Sequence, residues 1–396
     1  MKREKTQKEK KKLTKKRLAL RIVLCILGTL LLIVAGYVIY VFASYHRIPD
    51  NQVLTPQPDS LSYATMGRVP PQRIGVVPGE QTYSIMTYNI GFGAYTPDYS
   101  FFMDGGKYSW ARSEDGLKEN LKDIAGLIND CDPDFVVLQE VDESGTRTYH
   151  VNEVSYMQAT DYFQSVYARN FDSPFLFWPL NEPHGANKSG LLTLSKAYIS
   201  SALRRSLPVA DSITKIVDYD RAYTISRIPL GEAPEGAAAL NSAASSDPSG
   251  KELVIFNVHL SAYSTGSVRE QQLGMLFEDL QKEYAAGNYV ICGGDFNHNL
   301  RNGGSDKAPG WAQPFPREVF PSTFSFGFDQ EGVEVNISHD SCRNADEAYN
   351  PETTFTVLAD GFIVSSNIEV IKYEAMDLQY AYSDHDPVVM EFRLKG

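Results

Sequence analysis

The hydrophobic pattern divides the chain near residue 45. Before that point, Leu18 to Ala43 forms one long apolar run, LALRIVLCILGTLLLIVAGYVIYVFA, interrupted by Arg21 only. Ile22 to Ala43 gives 22 residues without a charge, enough for a helix to span a bilayer. Beyond that point, apolar residues come in short runs and helical repeats. Alternation over Tyr83 to Asn89 predicts a strand. Leu117, Leu121, Ile124 and Ile128 recur at helical spacing behind Ser113, a predicted N-cap, and the helix runs to about Asp130. Phe135 to Leu138 predicts a buried strand that delivers Gln139 and Glu140. Further strands are expected at Gly190–Ser195, Ala222–Ile228, Leu253–Leu260, Tyr289–Cys292, Thr354–Ser365 and Pro387–Leu394. Ser267 to Ala286 places Leu273, Leu276, Leu280 and Tyr284 on one face and predicts a helix leading into Tyr289. The two halves therefore each read strand, helix, strand.

Charge sharpens the division. Residues 1–21 hold eleven Lys or Arg against two Glu, about +9, whereas the remainder holds 26 basic and 47 acidic residues, or −21. The layout that follows is a basic cytoplasmic tail over 1–17, disordered on its own, a transmembrane helix over 18–45, a Pro-rich spacer over 46–81 and a catalytic domain over 82–396. Positive charge before the span puts the N-terminus in the cytoplasm and the domain outside, in a single-pass arrangement at the cell membrane. The competing reading is a cleaved signal peptide, because Val41-Phe42-Ala43 fits a cleavage motif; the length of the apolar run favours the uncleaved anchor. An acidic body disfavours tight nonspecific binding to nucleic acid. Cys25, Cys131, Cys292 and Cys342 are too few for a disulfide scaffold and lack zinc-type spacing. Gly231 to Gly250 reads as a mobile hairpin loop, Arg301 to Pro321 as a long loop, and Gly91 to Arg112 as an aromatic-rich loop placed to rim a site.

Candidate chemistry gathers at the ends of these apolar runs. In YVICGGDFNHN, two glycines end the run, and Asp295 and Asn297 follow. With strand geometry through Phe296 their side chains share one side, a carboxylate beside an amide. Asn89, Glu140, His259, Asp360, Asp384 and His385 likewise close or interrupt apolar runs. Singly, each such residue reads as a turn, a cap or a structural histidine. Together they form a site if the strands share one core.

The motifs MTYNIG, LQEVD, NVHLSA, GGDFN, LADGFIV and SDHDPV, in that order from Tyr83 to Leu394, resemble the endonuclease/exonuclease/phosphatase superfamily of metal-dependent phosphoesterases. The resemblance implies an α/β fold, a four-layer sandwich of two mainly antiparallel sheets packed face to face with helices outside. It implies Mg²⁺ or Mn²⁺ held by Glu140 with Asn89 and Asp384, and in-line attack of water on a phosphodiester or phosphomonoester. His385 orients or deprotonates the water with Asp360 as its carboxylate partner. Asp295 positions or deprotonates the water, Asn297 donates to a phosphoryl oxygen, and His259 contacts phosphate or the leaving group. Gly361 before Phe362 departs from the family's pattern, in which an aromatic directly follows the Asp. His298 is read as solvent-facing or substrate-proximal, and His150, His184 and His339 as structural or surface residues. The expected substrate is a phosphate ester (lipid head group, nucleotide or nucleic acid), with the membrane engaged by the N-terminal helix and no protein partner. The alternatives are an extracellular nuclease of this fold and a non-catalytic surface-binding module that retains it.

Overall fold

The computed structural model describes residues 2–58, 73–210, 220–232, 250–262, 266–301 and 310–396. The chain separates into a unit over Met1–His46 and a body over Arg47–Gly396. The first unit is one helix, α1, Lys2–Ser44. Within it Thr14–Ser44 is long and apolar enough to cross a membrane. The tail expected to lack order continues this helix, because its Lys, Glu and Gln residues lose little rotamer freedom in helical geometry.

In chain order the first strands of the body are β1 Gln52–Leu54, β2 Gln57–Pro58, β3 Tyr83–Asn89, β4 Phe135–Gly145, β5 Gln164–Asp172, β6 Asn187–Ser195, β7 Ser201–Ser206 and β8 Ala222–Pro229. They continue as β9 Glu252–His259, β10 Tyr289–Asp295, β11 Phe324–Phe326, β12 Glu334–Asn336, β13 Cys342–Arg343, β14 Thr356–Val357, β15 Asp360–Ser365, β16 Ile368–Ala375 and β17 Val388–Leu394. The helices are α2 Glu114–Cys131, α3 Glu153–Met157 and α4 Gly266–Ala285. Among the described residues one sheet runs β1-β7-β8-β9-β10-β15-β11, a second runs β12-β16-β17-β3-β4-β6-β5-β2, and β13-β14 form a ribbon. Each large sheet holds a parallel pair near its middle, β9 with β10 and β3 with β4, and its other central pairings are antiparallel. Those parallel pairs are the two strand–helix–strand units, with crossovers α4 and α2.

The sheets face each other across one core. Ile85, Phe135 and Val137 of the second sheet join Ile255, Val258 and Ile291 of the first. The outer face of the second sheet, Met86, Val136 and Leu138, packs on Leu117, Leu121 and Ile124 of α2. Ser113 caps α2 by accepting from the Gly116 amide at 3.1 Å. Three buried hydrogen bonds stitch the sheets: Gln139 donates to Asn257 at 2.8 Å, and Asn257 donates to the carbonyls of Leu138 and Leu192 at 3.1 and 3.2 Å. The strands this close to the site are thereby fixed in register, since a buried polar pair left unmatched is costly.

Several elements differ from expectation. The stretch over 46–81, read as a spacer, supplies β1 and β2, which pair with β7 and β5 as edge strands; its residues 59–72 lie outside the described residues. Strands β5, β7 and β16 join those expected. Thr354–Ser365 is not one strand but two, β14 in the ribbon and β15 in the first sheet, separated by Leu358-Ala359. The glycines Gly293 and Gly294 do not end β10 but lie inside it. The loop expected at 231–250 falls largely on 233–249, outside the described residues; of the loop expected at 301–321, residues 302–309 lie outside them, and the described remainder holds one short 3-10 turn at Arg317–Val319.

Candidate active site

The eight candidate residues come from six separate segments and meet at one end of the paired sheets. β3 ends on Asn89, β9 on His259 and β10 on Asp295, and β15 begins on Asp360. Asp295 pairs in register with His259 on one side and Asp360 on the other, so three strands set these groups side by side. Glu140 lies within β4, where the pairing with β6 shifts between Leu138 and Val141. It has φ of +57°, a left-handed conformation that non-glycine residues adopt at a cost of roughly 1 kcal/mol or more. This irregularity turns the carboxylate out of the sheet's alternation and toward the cleft.

Asp295 is the hub. Its Oδ2 accepts from Asn89 Nδ2 at 3.1 Å and from Asn297 Nδ2 at 3.2 Å, and His259 Nε2 stands 3.4 Å away. Glu140 Oε1 lies 3.4 Å from Asn89 Nδ2 and 3.9 Å from His259 Nε2. His385 Nδ1 is held by Asp360 Oδ2 at 2.7 Å, which leaves Nε2 facing Asp295 Oδ2 at 3.9 Å and Asn89 Nδ2 at 3.4 Å. Ser341 braces the dyad by donating to the same Asp360 oxygen at 2.8 Å. Ser383 bonds the Asn89 carbonyl at 2.8 Å and accepts from the His385 amide at 3.2 Å, so the SDHD turn is pinned to the end of β3. Gly91, at φ +52°, leaves the room this pinning needs, because a Cβ there would sit 2.8 Å from Asp384 Oδ1.

A cleft opens over these groups, lined by Glu140, His259, Asp295, Asn297, Asp384 and His385. Asn89 and Asp360 are buried behind them, at 1% and 0% exposure. Burial pushes the Asp295 carboxyl up to about 7, and the Asp360 charge adds to the rise. Enclosure also lifts Glu140 and Asp384 above ordinary carboxylates, and the Asp384 charge raises Glu140 further. The two histidines are driven apart. Burial, Arg221 and His385 hold His259 well below its ordinary value. Burial works against the His385 imidazolium, yet Asp360 and Asp384 together keep its pKa well above the usual range. Burial and neighbouring charges thus move the two imidazoles in opposite directions on either side of one carboxylate.

Glu140 and Asp384 offer carboxylate oxygens of the kind a hard cation takes, whereas Asn89 turns Nδ2 toward Glu140 and accepts the Gly91 amide with Oδ1 at 3.0 Å. Asp295, Asp360 and His385 also bring ligand-type atoms within 4.8 Å of one another. His385 Nδ1 is bonded to Asp360, which fixes the ring and leaves Nε2 as its ligand-type atom toward Asp295.

Two local expectations are corrected. Strand geometry does not persist to Asn297, which has φ of +49°. Asp295 Oδ1 accepts the Asn297 amide at 2.8 Å, so the chain turns and brings the Asn297 amide group back to the same carboxylate. His298 is not solvent-facing; it is 3% exposed, with Nδ1 2.5 Å from the Phe296 carbonyl and its ring against Phe315. Of the aromatic loop, Tyr95 and Phe101 line the cleft while Tyr99 is fully buried.

Sequence reasoning missed four residues. Arg221 lines the cleft and immediately precedes Ala222, the register partner of His259; only strand pairing reveals that. Cys342 Sγ lies 3.4 Å from His385 Nε2. Trp311 lines the cleft from the loop after Asn299. Arg269, on α4, donates to the carbonyls of Ser261 at 3.1 Å, Trp311 at 2.8 Å and Asn297.

Comparison with known proteins shows the family of the chain. The family model described as Endonuclease/Exonuclease/phosphatase family matches residues 86–385. Among solved structures, an endonuclease/exonuclease/phosphatase from Beutenbergia cavernae is 15% identical, with a TM-score of 0.52, over 80% of this chain and 72% of that one. The mannosyl-6-phosphatase of Bacteroides thetaiotaomicron is 15% identical, with a TM-score of 0.47, over 78% and 99%. Truncated TDP2 of Caenorhabditis elegans is 16% identical, with a TM-score of 0.44, over 79% and 97%. At 15% identity the Beutenbergia cavernae structure speaks to the fold alone. No curated protein matched the sequence.

Proposed function

The chain belongs to the endonuclease/exonuclease/phosphatase family, and from that premise we propose that its cleft hydrolyses a phosphate ester by attack of water at phosphorus. The observation that carries this reading is the shared Asp295 carboxylate, with Asn89, His259 and the Asp360–His385 pair converging on it from separate segments and Asn297 turning back to it. Asp295 positions the water and takes its proton. Asn297 donates to a phosphoryl oxygen as charge builds there. His385, oriented by Asp360, presents Nε2 to the same centre and holds a proton. His259 faces the phosphate or the leaving oxygen. Mg²⁺ or Mn²⁺ belongs at Glu140, Asn89 and Asp384; when bound it neutralises phosphate charge and stabilises the leaving oxygen.

The substrate class is a small phosphate ester or a head group, since the net −21 outside the first 21 residues disfavours a long polyanion. We further propose that α1 anchors the protein in the cell membrane with residues 1–17 in the cytoplasm and the body outside.

The test uses the full-length protein in detergent with bis-p-nitrophenyl phosphate. Hydrolysis should need Mg²⁺ or Mn²⁺ and stop in EDTA. Asp295→Asn and His385→Ala should each lower the rate by about 10² or more, the usual weight of one positioned acid–base group. Undiminished hydrolysis in both variants sinks the assignment.

A further inference from the structure

Among the described residues of the body, exposed large apolar side chains are scattered singly, with one exception. The connection between β5 and β6 exposes Phe177 by 52%, Trp178 by 66% and Leu180 by 75%. Exposed apolar residues taken singly mean nothing, but a contiguous set on one turn marks an interaction surface. This turn is held in place. Leu176 and Gly185 exchange backbone hydrogen bonds at 3.0 Å, the His184 amide bonds the Trp178 carbonyl at 3.2 Å, and the Glu182 amide bonds the Pro179 carbonyl at 3.2 Å. The three side chains are therefore displayed by a braced backbone.

The turn is also coupled to the cleft. Glu182 accepts from the Ser109 amide at 2.7 Å, and Trp110 Nε1 donates to the Pro183 carbonyl at 2.7 Å. The His184 ring lies against Phe101 and Phe102, with centroids 5.9 and 5.5 Å apart. Phe101, Met103 and Asp104 of that same loop line the cleft, and Met103 is itself 42% exposed. The exposed ridge and the cleft mouth thus belong to one packed unit.

We infer that the Phe177–Leu180 ridge docks into a phospholipid surface and presents the cleft to head groups there. Two observations select this occupant. Thr14–Ser44 of α1 is long and apolar enough to cross a membrane, and the anchoring proposed for it keeps a lipid surface within reach of the body. The ridge pairs a tryptophan and a phenylalanine with a leucine, the residue types that settle at the boundary between head groups and acyl chains. The inference rests on the phosphoesterase reading only for what the cleft does once docked.

The experiment places the full chain in phosphatidylcholine nanodiscs whose acyl chains are either plain or brominated. Of three tryptophans, Trp110, Trp178 and Trp311, none is in α1, so the anchor adds no tryptophan signal. Brominated lipid should quench the part of the emission that Trp178→Phe removes, leaving the remaining two nearly unaffected. The triple variant Phe177→Ser, Trp178→Ser, Leu180→Ser should hydrolyse bis-p-nitrophenyl phosphate as the wild type does, which shows that it folds. Quenching that is the same with and without Trp178 overturns the inference. Discs that hold two copies with Trp178 unquenched also overturn it, and assign the ridge to a second chain. Wild-type protein that is quenched but hydrolyses no diester leaves the docking inference standing and removes the phosphoesterase reading instead.

Discussion

Arg269 shows how one side chain sets the position of another. It is 3% exposed, and burial lowers its pKa to about 10, yet its guanidinium satisfies three carbonyls, one on the connection after β9 and two on the connection after β10. One of these is the carbonyl of Asn297, whose left-handed φ returns its side chain to Asp295. Arg269 is thus a positioning residue for Asn297, whose side-chain amide is proposed to donate to the phosphoryl oxygen. Lysine keeps the charge but not the fork of donors. Arg269→Lys should lower kcat by about tenfold or more, since misplacement of a donor by 1 Å is costly, with a smaller effect on KM. In an Asn297→Ala background the same change should do little, because coupled residues are non-additive. Equal losses in both backgrounds would show that Arg269 acts on the fold and not through Asn297. The GGDFN string made Asp295 and Asn297 legible as a pair. Their relative orientation was not legible, because Arg269 imposes it from 28 residues upstream in sequence.

At the scale of elements, legibility followed burial. Strands buried on both faces, such as β3, β9 and β10, carry the continuous apolar runs that the sequence shows. Strand β7, SALRRS, has no such run; Arg204 is buried there because the carbonyls of Arg169 and Asp220 accept from it at 2.7 and 3.1 Å, partners visible only in three dimensions. In β16 the alternation breaks where its register against β17 shifts between Val370 and Lys372. The same local view misread Gly293 and Gly294 as a strand end. Gly294 is inside β10 at φ +154°, and a Cβ there would lie 2.0 Å from the Val258 carbonyl on the paired strand β9. Glycine is therefore the residue that lets β9 and β10 set His259 beside Asp295. Gly294→Ala should destabilise the body by about 3 kcal/mol or more, because overpacking and an unsuitable backbone conformation combine. A thermal midpoint equal to that of the wild type would show that the strands separate here at no cost.

The whole molecule adds two consequences of where its groups are buried. His184 is enclosed behind the ridge, and burial, then Arg147, lower its pKa to about 3. The native state keeps this ring neutral while the unfolded chain takes up a proton near 6.5. Its contribution is present above 6.5 and is lost as pH falls toward 3, by about 1.4 kcal/mol per pH unit. Between pH 7 and 5 the His184→Asn protein should therefore lose about 2 kcal/mol less stability than the wild type. Parallel losses, measured by thermal unfolding at both pH values, would contradict a neutral buried ring. The cysteines report on topology in the same way. Cys25 lies within the apolar span, Cys292 and Cys342 are buried, and Cys131, at the end of α2, is exposed. Burial raises the Cys131 pKa, so its thiolate is scarce at neutral pH and labelling belongs near pH 8.5. With eleven positive residues ahead of the span, an impermeant maleimide added to intact cells should label Cys131, and Cys131→Ser should abolish the signal. Labelling that appears only after lysis would put the body on the cytoplasmic side. The cleft would then meet intracellular phosphate esters, with its chemistry unchanged and its substrates drawn from the other face of the membrane.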